Sequence, residues 1–298
     1  MHIEPPVVDP SRILPEPEGV CPECGGRGWK IVPDGGAGRA ERCDCSHTER
    51  GRHFLAHAGI PPRYRSCTLD SFKTANVDPR IQSLLTQAHS TCKDFVGSWF
   101  DKEGRHREKG LAFVGASGTG KTHLAAAVLA QIIQENKVNG VFVDWNALIK
   151  QIKFSFDRNS SQSEEEILKP ILRAELLVLD DLGVASPTDW MTETLYHVLN
   201  TRYAERRATI LTTNYRLREL RQGVSKNEPA AGSDRDAMIR EAEGLKQRPA
   251  SKPADTPLTE RISARLVSRI HQMTQIVELP AFDYRINILG AGLSKKKR

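Results

Sequence analysis

The most chemically informative stretch of the chain is residues 115–122, which read Gly-Ala-Ser-Gly-Thr-Gly-Lys-Thr and fill every fixed position of a phosphate-binding P-loop. Its glycines let backbone N–H groups close around phosphate oxygens at the start of a helix. Lys121 would contact the β- and γ-phosphates of ATP, and Thr122 would give a hydroxyl ligand to Mg²⁺. The alternative is a Gly-rich turn without a ligand, which the apolar strand pattern at 111–114 disfavours. The predicted nucleotide-binding residues are Gly115, Ala116, Ser117, Gly118, Thr119, Gly120, Lys121, Thr122 and His123.

Two acidic residues follow a second apolar run. Residues 176–179 are apolar throughout, as expected of a central parallel strand, and Asp180 and Asp181 come directly after them. Such a strand delivers its carboxylates to the edge of the sheet where a P-loop lies. We predict that Asp180 binds Mg²⁺ through water and that Asp181 orients or deprotonates the attacking water. An acidic turn exposed to solvent is the alternative.

A third strand pattern, at residues 209–213, ends at Asn214. A side-chain amide at this position could hold the attacking water against the γ-phosphate. Asparagine also ends strands for reasons of turn geometry, so the residue alone is a weak signal. Because it follows the other two motifs in order, we predict that Asn214 acts with Lys121, Asp180 and Asp181 in catalysis.

The elements needed to position these residues alternate between strand and helix patterns. The predicted order is a strand at 111–114, the P-loop helix, a strand at 141–144, helices to Leu172, a strand at 176–179, a helix at 190–203 and a strand at 209–213. This alternation predicts an α/β fold of three layers, with a parallel sheet and its ligand at the carboxyl edge. Two helices have predicted apolar faces, formed by Leu124, Val128 and Ile132, and by Ile81, Leu84, Leu85 and Ala88.

Four further stretches make the chain recognisable. They are 58–65 (Ala-Gly-Ile-Pro-Pro-Arg-Tyr-Arg), 176–183, 193–214 with Asn200-Thr201-Arg202-Tyr203, and Ser-Arg-Ile at 268–270 leading to Asp-Tyr-Arg at 283–285. With these motifs the chain resembles the AAA+ ATPases of the bacterial DnaC/DnaI helicase-loader and IstB transposition-accessory lineage, relatives of the DnaA initiator. The resemblance covers most of residues 21–285 and implies a P-loop AAA+ core that uses ATP.

Members of this lineage assemble side by side, so the resemblance implies ATP at an interface between subunits, completed by an arginine of the neighbour. Arg269 matches the position of that arginine. Arg265 is the second candidate, because residues 263–266 nearly repeat the motif. Both could instead be solvated arginines of a basic helix. The resemblance further implies a hexameric replicative DNA helicase and single-stranded DNA as partners.

Four of the six cysteines form two close pairs, Cys21 with Cys24 and Cys43 with Cys45. They predict a zinc site, because a pair at this spacing can present two thiolates to one tetrahedral ion. The second pair has a shorter spacing, so His47 or His53 could replace Cys45 as fourth ligand. A redox pair and a module without metal are the alternatives. Cys67 and Cys92 are expected to pack in the interior.

A segment with cations and aromatic side chains lies between the second strand and the acidic strand. It contains Lys150, Lys153, Phe154, Phe156 and Arg158. Relatives of the initiator lineage insert a helical element here, so the resemblance implies contact with single-stranded DNA. Aromatic rings can stack on bases while cations follow the phosphates. In the alternative, Phe154 and Phe156 pack in the core.

Composition fits this organisation. The 298 residues suffice for one α/β core and a smaller module, and 43 Lys and Arg against 37 Asp and Glu give a net charge of +6, which is compatible with DNA. The predicted order is a flexible tail at 1–20, a zinc-binding module that contacts the helicase at 21–57, a linker and helical segment at 58–108, and the ATPase domain at 109–298 with a mobile insertion at 222–257. No apolar run is long enough to cross a membrane and the start is unlike a signal peptide, so we expect a cytoplasmic protein.

These observations predict an ATP-dependent loader of a replicative DNA helicase. One alternative is an IstB-like transposition accessory ATPase that acts on duplex DNA. The other is an ATP-gated adaptor with negligible hydrolysis, for which the indication is Asp181 at a position where related ATPases often have Glu.

Overall fold

The computed structural model describes residues 29–32, 38–75, 77–156, 162–183, 188–217 and 257–284. The chain divides into two units, residues 1–53 and 54–298. In the first unit, strands β1 (Trp29–Val32) and β2 (Arg39–Arg42) form an antiparallel hairpin. Helix α1 (Asp44–His57) follows, and the boundary between the units falls within it.

The second unit contains the predicted parallel sheet. Its strands are β3 (Gly110–Val114), β4 (Gly140–Asp144), β5 (Leu176–Leu182), β6 (Ala208–Thr213) and β7 (Thr274–Glu278). They lie in the order β4-β5-β6-β3-β7, and every pair is parallel. The acidic strand β5 and the strand that leads into the P-loop, β3, therefore flank β6.

In the described part of this unit, six α-helices accompany the sheet: α2 (Pro79–Gly97), α3 (Lys121–Asn136), α4 (Trp145–Ser155), α5 (Glu164–Arg173), α6 (Asp189–Ala204) and α7 (Ala264–Met273). Polar side chains cap the amino-terminal ends of several of these helices, where they accept hydrogen bonds from backbone N–H groups of the first turn that are otherwise unpaired. Ser163 and Glu166 form a capping box at the start of α5, and Ser263 caps α7. These caps explain why the helices begin where the sequence becomes amphipathic.

The helices cover both faces of the sheet. Along β3, Leu111 and Phe113 contact the core formed with α2 and α3, whereas Ala112 and Val114 contact the core formed with the helices from α4 to α7. The predicted apolar face of α3, formed by Leu124, Val128 and Ile132, is fully buried. The prediction of a three-layer α/β fold is thus confirmed.

One residue of the predicted α2 face is exposed. Leu85 and Ala88 are buried and Ile81 packs against the core, but Leu84 is 44% exposed. A helix face formed at i, i+3, i+4 and i+7 is wider than the contact that α2 makes, so the residue at its margin remains in solvent.

Several predictions fall outside the described residues. They concern the tail at 1–20, Cys21 and Cys24, Arg158, and the insertion at 222–257, of which only Pro257 is described. Within the described ranges, no helix has the length and apolar character needed to span a membrane.

Candidate nucleotide-binding site

The P-loop connects β3 to α3 and bends in the way its glycines allow. Gly118 and Gly120 have φ angles of 84° and 97°, a region that residues with a side chain rarely adopt. Gly120 is also the N-cap of α3, so the unpaired N–H groups and the positive dipole end of that helix face the loop. This geometry suits the binding of phosphate groups.

Lys121 lies at the start of α3 with its ammonium group folded over the loop. Its Nζ donates hydrogen bonds to the carbonyl oxygens of Gly115, at 2.9 Å, and Ala116, at 2.7 Å. The residue is only 5% exposed. The sequence-predicted cation is therefore held next to the phosphate-binding N–H groups of the loop.

Thr122 joins the P-loop to the acidic strand. Its hydroxyl lies 3.0 Å from Oδ1 and 3.2 Å from Oδ2 of Asp180 at the end of β5. Thr212 on β6 donates to the same carboxylate, with 2.5 Å between Oγ1 and Oδ1. The hydroxyl of Thr122 and the carboxylate of Asp180 are oxygen ligands of the kind that Mg²⁺ prefers, so the residues present fit that ion.

Asp181 occupies a β-bulge. Between the pairs Leu179–Leu211 and Leu182–Thr213, β5 has one residue more than β6. The extra length puts Asp181 in a left-handed conformation, with φ of 58°, and its N–H donates to Oγ1 of Thr212 at 2.9 Å. The bulge turns the carboxylate of Asp181 towards the cavity, which its side chain lines.

The electrostatics of the acidic residues favour a bound cation. The pKa of Asp180 is raised to about 6, chiefly by burial, with the charge of Asp181 adding to the rise and the hydrogen bonds from Thr212 and Thr122 opposing it. Burial also raises the pKa of Asp181, with a contribution from Asp144, while Lys121 opposes the rise. Clustered carboxylates with raised pKa values gain stability when a positive ion lies between them and the phosphates.

A cavity of about 240 Å³ brings the predicted residues together. Its lining includes Ser117, Lys121, Thr122, His123, Asp181 and Asn214. Asn214 is thus on the same cavity as the acidic strand, at the end of β6 where the sequence pattern put it. His123 faces Ser71, with 3.0 Å between Nε2 and Oγ, and burial lowers its pKa.

Further residues contribute to this site, although the sequence analysis gave them no role there. Asp144 pairs in register with Asp180 and caps α4 by accepting a hydrogen bond from the N–H of Ala147 at 2.8 Å.

Tyr284 donates its N–H to the carbonyl of Gly118 at 2.9 Å and stacks on Phe72 with 4.8 Å between ring centroids. Arg63, Tyr64 and Cys67 also line the cavity. The motifs at 58–65 and 283–285 were a signal that these segments matter, but their contact with the P-loop depends on the fold.

Arg269 and Arg265 lie on α7 and each contacts a tyrosine of α6. The guanidinium of Arg269 is 4.0 Å from the ring centroid of Tyr203 and donates to Oδ1 of Asn200 at 3.2 Å. Arg265 lies 4.7 Å from the ring of Tyr196. Arg269 is half-buried and Arg265 is exposed. Neither lies on the cavity of its own chain.

The aromatic residues of the α4 segment do not pack in the core. Phe154 is 76% exposed and Phe156 is 58% exposed, so the alternative of core packing is wrong. The ring of Phe156 meets Trp190 of α6 edge to face at 5.6 Å, a contact that the sequence did not suggest. Lys150 and Lys153 are exposed on the same helix.

The cysteines divide between the two units. Cys43 is buried directly before α1, and the side chains of Cys45 and His47 are outside the described residues. In the described part of the chain, no three His, Cys, Asp or Glu side chains form a metal-binding group. Cys92 is buried, which raises its pKa to about 12, as expected of a packing residue, whereas Cys67 borders the cavity.

Comparisons with known proteins agree with this geometry. The replicative helicase loader DnaC of Escherichia coli (strain K12) is 26% identical over 164 residues, or 55% of this chain and 61% of DnaC. Protein YqaM of Bacillus subtilis (strain 168) is 24% identical over 186 residues, or 61% of this chain and 56% of YqaM. The chain therefore spans less than two thirds of the length of either relative.

A solved structure supports the fold. The crystal structure of the DnaC helicase loader superposes with a TM-score of 0.51 at 29% identity, covering 74% of this chain and 99% of that chain. The predicted AAA+ architecture is therefore confirmed. The profile of the family described as IstB-like ATP binding protein matches residues 95–243, which contain the P-loop, the acidic pair and Asn214. This chain belongs to the family of IstB-like ATP-binding proteins.

Proposed function

We propose that this protein is an ATP-hydrolysing loader of a hexameric replicative DNA helicase. The observation that carries the proposal is the convergence of Lys121, Thr122, Asp180, Asp181 and Asn214 at the carboxyl edge of a sheet whose fold is that of the DnaC helicase loader. Membership of an ATP-binding family supports ATP as the nucleotide. The carboxylates of the acidic strand would hold the metal ion and activate the water that hydrolysis needs.

Each residue then has a distinct role. Lys121 and the P-loop N–H groups bind the phosphates, and Thr122 with Asp180 holds Mg²⁺, which would neutralise charge on the phosphates. Asp181 orients or deprotonates the attacking water, helped by the amide of Asn214. Thr212 positions both acidic residues, because its hydroxyl donates to Asp180 and accepts from the N–H of Asp181.

Hydrolysis is proposed to need a second copy of the chain. Arg269 does not reach the cavity of its own chain and has N–H groups available for an anion. In a side-by-side assembly it would contact the nucleotide bound by its neighbour, with Arg265 as the second candidate. Such arginines accelerate nucleotide hydrolysis by about 10³–10⁵-fold.

The α4 segment is the proposed contact with single-stranded DNA. Two exposed phenylalanines beside two exposed lysines can stack on bases and follow the phosphate backbone. Trp190 extends the aromatic surface next to Phe156. Exposing aromatic side chains to water is unfavourable in free energy. The presence of two of them at one end of α4 therefore favours a role in binding.

The amino-terminal unit is proposed to bind zinc and to contact the helicase. The spacing of the cysteines supports a zinc site, because a pair such as Cys21 and Cys24 can present two thiolates to one ion. The first cysteine pair precedes β1 in sequence, and the second follows β2. Four thiolates suit one tetrahedral zinc ion.

Purification from the native host tests the loader function. Affinity-tagged wild-type chain should retain a hexameric replicative helicase in the presence of ATP, identified by mass. Adding the purified pair to a single-stranded DNA circle should then produce ATP-dependent DNA unwinding. Recovery of a transposase on duplex DNA, with no helicase retained, would instead support the function of an IstB-like transposition accessory ATPase.

A further inference from the structure

We propose that Tyr203 and Asn200 are positioning residues for Arg269, which they hold in the orientation that completes the nucleotide site of a neighbouring copy. The inference rests on the proposed function, in which Arg269 acts on the neighbour's ATP. It adds two residues of α6 that neither the motifs nor the family description assigns to that role.

The contact is specific in geometry. The guanidinium of Arg269 stacks on the ring of Tyr203 at 4.0 Å, and its Nη2 donates to Oδ1 of Asn200 at 3.2 Å. A long arginine side chain otherwise samples many rotamers, and a ring face with one hydrogen-bond acceptor selects a narrow set. The planar guanidinium is thus oriented before it meets a partner.

This orientation of the Arg269 guanidinium leaves some of its N–H groups available as hydrogen-bond donors. Nη1 of Arg269 donates to Gln272 at 3.0 Å, so each terminal nitrogen makes one hydrogen bond. Within the described part of the chain, the remaining N–H groups of this guanidinium have no acceptor. Arg269 lines a surface depression with Ser268 and Gln272, so these donors can reach an anion that approaches from outside. A phosphate oxygen is the acceptor that this planar donor array suits best.

Helix α6 is itself rigid at this point. The fully buried Arg202 donates to the carbonyl oxygens of Ala174, at 2.7 Å, and Ala208, at 2.6 Å, and to Oγ1 of Thr209 at 2.9 Å. These bonds tie the end of α6 to the end of α5 and the start of β6. Tyr203 follows Arg202 in the chain. These bonds therefore also hold the backbone of Tyr203, whose ring contacts Arg269.

The spacing along the two helices indicates a built arrangement. Tyr196, Asn200 and Tyr203 follow each other at i, i+4 and i+7, so they share one face of α6. Arg265 and Arg269 are four residues apart on α7 and meet that face in order. The Tyr196–Arg265 pair resembles the Tyr203–Arg269 pair and provides a matched control.

A mixing experiment isolates the donated arginine. The acceptor chain carries Arg269→Ala and keeps its P-loop. Every donor chain carries Lys121→Ala, so it cannot turn over ATP itself but can lend Arg269. With single-stranded DNA present, turnover in the mixture reports only interfaces at which the donor's arginine meets the acceptor's nucleotide.

Adding Tyr203→Leu to the donor should lower the rescued kcat by roughly 10- to 100-fold, because a misplaced arginine no longer meets the transition state. The acceptor's KM for ATP should not change, since its P-loop is intact. Tyr203→Phe in the donor should keep most of the rescue because it retains the ring, and Tyr196→Leu should keep it fully. Asn200→Ala should lower the rescue as well, and it decides the question if the Tyr203→Leu chain does not fold.

The outcomes separate the two proposals. If the parent Lys121→Ala donor rescues turnover and the Tyr203→Leu and Asn200→Ala donors rescue equally well, the positioning role is wrong while the shared site stands. If the parent donor gives no rescue, Arg269 does not act on a neighbour, and the positioning role fails with it. Rescue lost with Tyr196→Leu but kept with Tyr203→Leu and Asn200→Ala would also overturn the positioning role of Tyr203 and Asn200. Wild-type turnover of the Arg269→Ala acceptor by itself would assign the donated arginine to Arg265.

Discussion

The hydroxyl of Thr122 lies 3.0 Å from Oδ1 of Asp180, although 58 positions separate the two residues in the chain. The contact joins the first turn of α3 to the end of β5, and Thr212 completes it from β6. Side chains from α3 and β6 thus both bind the carboxylate at the end of β5. Mg²⁺ and the phosphates are proposed to bind beside this carboxylate.

Replacing Lys121 by Ala should weaken ATP binding by at least about 100-fold, because charge-assisted hydrogen bonds to the phosphates are lost. Lys169→Ala is the matched control, since that lysine is exposed on α5 and away from the cavity. Isothermal titration with a non-hydrolysable ATP analogue measures both. Equal affinity in the two variants would show that the P-loop is not the nucleotide site.

Thr212→Val should lower ATP turnover by roughly 10- to 100-fold while ATP binding changes little. The valine keeps the volume of the buried threonine but removes the hydroxyl that donates to Asp180 and accepts from the N–H of Asp181. Single-turnover kinetics and equilibrium binding separate the two effects. Wild-type turnover in this variant would remove Thr212 from the account of the site.

The sequence predicted the sheet and the P-loop well because their signals are local. A strand buried on both faces must be apolar throughout, and a phosphate loop needs its glycines and lysine at fixed spacing. The runs at 111–114 and 209–213 therefore match β3 and β6 within one residue at each end, and the run at 176–179 begins β5, which continues to Leu182.

The remaining parts of the site depend on contacts distant in sequence. The bulge at Asp181 arises from the pairing of β5 with β6, and no local sequence pattern predicts it. Tyr284 reaches the P-loop only because β7 lies beside β3. Arg269 faces Tyr203 because α7 packs on α6. The exposure of Phe154 was left open by the sequence, since a phenylalanine in a helix is more often buried.

Phe154→Ala should weaken binding of single-stranded DNA by about 1–3 kcal/mol for the base that it stacks on. Stability should change little, because the side chain is exposed. Phe100→Ala is the control, as Phe100 is a partly exposed aromatic residue outside the α4 segment. Fluorescence anisotropy with a labelled oligonucleotide measures the affinity. An equal affinity of both variants would argue against DNA contact at α4.

The zinc prediction concerns metal content and stability of the amino-terminal unit. We expect one zinc ion per chain, lost when Cys21 and Cys24 are replaced by Ser, together with the structure of residues 21–45. Structural zinc contributes about 10–16 kcal/mol of apparent binding energy in small modules, which so short a segment cannot replace from its own core. Nucleotide binding should persist. Metal analysis of anaerobically purified protein that finds no zinc would refute the prediction.

Steady-state ATP turnover of the wild type and of Asp181→Asn, measured with and without single-stranded DNA, decides whether this chain hydrolyses ATP at the proposed site. We expect slow turnover by the dilute wild-type chain, and a rise with DNA and with chain concentration. Asp181→Asn should keep the wild-type ATP affinity but turn ATP over roughly 100-fold more slowly. Turnover that is absent in the wild type under all these conditions, or unchanged in Asp181→Asn, would contradict this expectation and favour an ATP-gated adaptor.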